Sequence, residues 1–160
     1  MRFIGDVHGR QDWKKQIDLN DINVFVGDYF DSFDITIEAQ IENYKELIEL
    51  KKEHPYNIVL LIGNHDYHYI IDFERYSGFS IFTFQQVHEM LKEHIKEGLL
   101  QWTYRFEHDG KDWIVSHAGL TNTWMNNNKI DINTINETLN DDWTIPRWVG
   151  GGRSFYGDDN

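Results

Sequence analysis

The sequence predicts an α/β fold built on a largely parallel sheet, and two observations carry that prediction. Four short runs are rich in Val, Ile and Phe and apolar at nearly every position, as strands buried on both faces are. Stretches with helical apolar spacing alternate with them. The first run, RFIGDVHG (2–9), ends on Asp6 and His8; residues two apart at an extended strand end point the same way and can reach one cation. The second, INVFVGDYFD (22–31), ends on Asp28, with Asp31 three residues later. TIEAQIENYKELIELKKEH (36–54) sets Ile37, Ile41, Tyr44, Leu47, Ile48 and Leu50 near helical spacing, and Pro55 stops it. The third run, IVLLIGNHD (58–66), brings the amide oxygen of Asn64 and the titratable ring of His65. FTFQQVHEMLKEHIKEG (82–98) repeats the helical pattern through Phe84, Val87, Met90, Leu91 and Ile95, with Gly98 as its C-terminal cap. The fourth run, WIVSHAG (113–119), ends on His117. Beyond Thr121 an Asn-, Asp- and Thr-rich stretch reads as loop plus a short helix (132–140), followed by a glycine-rich tail. The order strand, helix, strand, helix, strand, helices, strand implies βαβ units, whose functional groups collect beyond the carboxyl ends of the strands.

Composition narrows the class. The 160 residues suit one domain over 1–160, and 40% hydrophobic with 15% aromatic residues is ample for a packed core. A net charge of -12 argues against a nucleic-acid-binding surface, which needs clustered Lys and Arg. Most of the acid excess reads as solubilising, and some as concentrated to hold cations. With no cysteine, any transition metal must be held by His, Asp, Glu or Asn. No apolar run approaches the ~20 residues of a membrane span and no secretory signal opens the chain, so the expected location is cytoplasmic, without a membrane partner.

Taken singly, each strand ending has a plainer reading as a solvated loop, a helix cap or a structural histidine. Together they do not: four strands each end in an Asp, Asn or His ligand beside glycine or alanine. GDVHG, GDYFD, GNHD and HAG appear in that order, and over about residues 1–120 the chain resembles the calcineurin-like metallophosphoesterases. Within them it is most similar to the serine/threonine-phosphatase and diadenosine-tetraphosphatase branch, of phage or bacterial type. The resemblance implies a central β-sandwich flanked by helices, with a dinuclear metal site at the strand ends. Asp6 and His8 match ligands of one metal, Asp28 the bridge, and Asn64 and His117 ligands of the other. Two cations ~3.5–4 Å apart clamp a phosphate and acidify a shared water that attacks phosphorus in line. The mixed oxygen and imidazole donors suit Mn²⁺ first, with Fe or Zn²⁺ as alternatives. His65 then matches the general acid, kept cationic by Asp31. The implied substrate is a phosphorylated protein or a nucleotide. A phosphodiesterase is the alternative within the family, and a metal-binding module that recognises a partner protein without turnover is the alternative outside it.

Two departures qualify the resemblance. Where protein phosphatases of this family carry an arginine that grips the phosphate, this chain has Ser32. Arg153 is the first candidate to supply that charge, ahead of Arg147 and Arg10, so Arg153, Asn64 and Ser32 form the expected substrate contacts. No histidine follows His117, whereas the family places a last metal ligand on a later strand. A truncated or split chain, a weakly held second metal and lost catalysis are the three explanations, the first preferred. Asp66 is the alternative partner for His65, and Asp34 reads as a turn residue or helix cap. His54, His88, His94 and His108 read as solvated, His68 as more simply structural than a neighbour of the site, and the tryptophans as packing.

Overall fold

The computed structural model describes residues 1–71 and 75–144. Strands β1 (Arg2–Ile4), β2 (Asn23–Phe25) and β3 (Ile58–Leu60) form a parallel sheet in that order. The register pairs Ile4 with Phe25 and Phe25 with Leu60, so the three strands stop level and their exit loops lie side by side. Between β2 and β3 runs helix α1 (Ile37–Glu53), whose N-cap is Thr36: its hydroxyl accepts the Ala39 N–H. Helices α2 (Asn64–Ile70) and α3 (Phe84–Lys96) follow β3. Strands β4 (Thr103–His108) and β5 (Lys111–Ser116) form an antiparallel pair, and α4 (Asn122–Asn128) and α5 (Ile135–Asp141) come last.

Side chains alternate across a strand, and the sheet uses both of its faces. Phe25, Ile58 and Leu60 face a large core with Ile41, Tyr44, Leu47 and Ile48 of α1, and with Val87, Leu91 and Ile95 of α3. Val24, Val59 and Leu61 form a smaller cluster with Ile22 and with Tyr104 and Val115 of the β4–β5 pair. Burying each such large side chain contributes about 1.5–3 kcal/mol before conformational entropy is set against it. The parallel sheet is thus covered by helices on one face and by the hairpin on the other.

The fourth apolar run departs from expectation. It is no strand of the parallel sheet but the return strand of a hairpin, half-exposed, with β4 as its partner. The hairpin turn is Asp109-Gly110, with φ of 52° and 68° at the two residues, the left-handed pair of a two-residue type I′ turn. α4 lies in a stretch expected to be loop, and α5 spans Ile135–Asp141 where a helix over 132–140 was expected. His94 is buried, its Nδ1 2.8 Å from the Tyr44 hydroxyl, rather than solvated. Trp13, Trp102 and Trp124 are buried, while Trp113 is exposed.

Candidate metal centre

The level strand ends bring three loops together, and their backbones touch. A Cβ on Gly27 (φ 108°) would collide with the backbone of Gly63, and one on Gly63 would strike the carboxylate of Asp28. Only glycine fits this crossing. Asp66, in the first turn of α2, locks it: the buried carboxylate accepts the N–H groups of Asp28 at 2.8 Å, Tyr29 at 2.8 Å and Gly63 at 2.9 Å. Burial and the charge of Asp28 push the Asp66 pKa up against the pull of those three donors. Asp66 is therefore a backbone tie between two loops and is turned away from partnership with His65.

Around that crossing the donor atoms converge. One carboxylate or imidazole atom from each of Asp6, Asp28 and His117 lies within 4.8 Å of the others. His117 Nε2 is 3.5 Å from Asp28 Oδ2 and 2.9 Å from Asn64 Oδ1. His8 Nε2 is 4.0 Å from the same Asp28 oxygen. Both histidines turn their other nitrogen to a backbone carbonyl, His8 Nδ1 to Phe30 O and His117 Nδ1 to Val26 O at 2.8 Å. That arrangement places the proton of each neutral ring on Nδ1 and leaves Nε2 as a lone pair, the orientation that metal-binding histidines adopt. His117 Nε2, Asn64 Oδ1 and Asp28 Oδ2 are then three acceptors facing one another, an arrangement that a cation would relieve. The residues present fit divalent metal, with oxygen and imidazole donors on a glycine-shaped cradle.

A second group lies beside the first. His65 Nδ1 is 2.8 Å from Asp31 Oδ2, and the backbone N–H of His65 donates to Asp28 Oδ1 at 2.8 Å, tying both groups together. Burial works against protonating His65, but its bond to Asp31 and the nearby Asp28 and Asp66 carboxylates outweigh it, so its pKa lies above the ordinary histidine value. Burial would likewise raise Asp31, yet the hydrogen bond from His65, the close approach of the His68 ring and the Tyr69 hydroxyl hold it below the usual carboxylate range. His8, Asp28 and Asp31 all have left-handed backbones, with φ of 42°, 57° and 68°.

The other expected residues fall elsewhere. The Ser32 hydroxyl donates to Asp34 at 2.6 Å, and Asp34 also pairs with Arg10 at 3.2 Å, so Asp34 caps no helix. Arg153 and Arg147 lie outside the described residues. His68, read from the sequence as structural, and Tyr69, not singled out there, both touch Asp31; their spacing of three and four from His65 on a helix was the available signal.

Oxygen and imidazole donors clustered beyond the ends of the three parallel strands and of β5 make this an α/β protein with a candidate metal centre. It belongs to the calcineurin-like phosphoesterase family, whose model matches residues 2–154. Metal-dependent hydrolysis of phosphate esters is the activity that membership implies. No curated protein and no solved structure matches the chain. No helix among the described residues is long and apolar enough to cross a membrane.

Proposed function

We propose that the protein is a phosphomonoesterase of the protein- or nucleotide-phosphatase kind, working with two divalent cations, Mn²⁺ foremost and Fe or Zn²⁺ as alternatives. The observation that carries this reading is the side-by-side placement of the Asp6–Asp28–His117 donors and the His65–Asp31 pair. In it, Asp6 and His8 would hold one cation and Asn64 and His117 the other, with the Asp28 carboxylate available to both. When bound, the cations supply charge neutralisation for the phosphate and acidify a water. The chain's own part is proton delivery and orientation. His65, held cationic against Asp31, gives its Nε2 proton to the oxygen that leaves phosphorus; Asp31 fixes the ring by gripping Nδ1. The hairpin packed over the sheet then serves as the second layer of a sandwich, with β5 delivering His117 to the site.

A second reading, phosphodiester cleavage, draws on one observation: Ser32, which stands where the resemblance led us to expect a phosphate-gripping arginine, spends its hydroxyl on Asp34. A dianionic terminal phosphate gains most from such a charge and a monoanionic diester least. Turnover of p-nitrophenyl phosphate and of bis-p-nitrophenyl phosphate with Mn²⁺ separates the two. The monoester is expected to be the better substrate, and Asp28→Asn to lower its kcat by at least roughly 100-fold. A preference for the diester replaces the first reading with the second.

A further inference from the structure

Asp31 is gripped by more than His65. Its Oδ1 accepts the Tyr69 hydroxyl at 2.7 Å, and its Oδ2, already 2.8 Å from His65 Nδ1, also lies 2.7 Å from His68 Nε2. The side chains of Asp31 and His68 are fully buried. These two extra partners are fixed in turn by the segment after α2. The Tyr76 N–H donates to His68 Nδ1 at 3.1 Å, and the Ser80 N–H to the Tyr69 hydroxyl at 3.1 Å. Phe79 lies against both rings, at 4.9 Å from His68 and stacked at 5.1 Å on Tyr69. Gly78 closes over Asp31 so tightly that a Cβ there would sit 2.7 Å from the Asp31 Cβ.

The donor set Asp31, His65 and His68 has the spacing of a metal site, but the proton inventory argues otherwise. Nδ1 of His68 can accept the Tyr76 N–H only if it carries no proton, so the proton of the neutral ring sits on Nε2, facing Asp31. A metal on Nε2 would demand an imidazolate. The Nε2–H and Asp31 are close without an aligned hydrogen bond, which makes the contact a buried dipole set against the carboxylate.

We propose that His68 and Tyr69 are positioning residues that act through Asp31 on His65, a role that rests on the reading of His65 as general acid. Tyr69 fixes one carboxylate oxygen, His68 crowds the other, and together they leave Asp31 one orientation in which to hold the His65 ring. Kinetics on two monoesters test this with Mn²⁺ present. Phenolate is a poor leaving group that needs the proton, whereas p-nitrophenolate leaves without it. His68→Ala and Tyr69→Phe are expected to lower kcat on phenyl phosphate by roughly tenfold or more and on p-nitrophenyl phosphate by less than about threefold, with KM unchanged. His68→Gln, which restores an N–H donor, recovers part of the loss. Equal losses on both esters, or no loss on either, overturn the proposal. Should His68→Ala fail to fold, Tyr69→Phe, which removes a single oxygen, decides alone. If the natural protein hydrolyses neither ester, the functional reading fails. The positioning role is then decided by the proton NMR signal of the His65 Nδ1–H: its loss or shift in Tyr69→Phe upholds the role, and an unchanged signal overturns it.

Discussion

Asp28 and Asp31 hold left-handed backbone angles that cost of order 1–2 kcal/mol each for residues with a Cβ. Asparagine tolerates the same conformation, so Asp→Asn at either position tests charge and leaves the backbone alone. Asp31→Asn is expected to lower kcat on phenyl phosphate by roughly 100-fold while Mn²⁺ affinity, read by calorimetry, stays within about threefold. Away from the site, burial lowers the pKa of His94, which lies against Tyr44. A base whose folded pKa is below its unfolded value of about 6.5 binds its proton more readily in the unfolded chain. Stability is therefore full above that pH and falls as pH drops beneath it, levelling off once pH passes the folded pKa. Urea denaturation at successive pH values between neutral and mildly acidic checks this, and His94→Gln should flatten the slope.

The β4–β5 hairpin shows what the sequence made legible among the elements and what it hid. The three parallel strands and the two long helices announced themselves through buried apolar runs and helical spacing, because their burial is set by local pattern. The hairpin did not, since its strands are half-exposed and their pairing depends on a turn; Asp109-Gly110 was the one local cue. Gly110→Ala meets no neighbouring atom but strains φ of 68°, and is expected to cost about 1–2 kcal/mol in thermal denaturation. In the site, the motif residues Asp6, His8, Asp28, Asn64 and His117 lie together as the strand ends suggested. Asp66 and His68 were given other readings, and Tyr69 none, because Asp66 works through the backbone of another loop and the other two through Asp31; helical spacing from His65 shows that His68 and Tyr69 are its neighbours but not that they meet Asp31.

At the scale of the whole molecule, a chain of net charge -12 gathers carboxylates at one end of its sheet, where bound cations would relieve their mutual repulsion. Metal that binds the folded state alone stabilises it by about 2.7 kcal/mol at 100 times its Kd, so Mn²⁺ should raise Tm and EDTA should lower it. Asp28→Asn should remove most of that shift. Turnover, not binding, separates an enzyme from a module that merely holds metal. The decisive measurement is hydrolysis of p-nitrophenyl phosphate by protein stripped with EDTA and then restored with Mn²⁺. Activity that returns with the metal and is absent in Asp28→Asn is the expected result; metal binding by the intact natural protein with no turnover of the ester would contradict it.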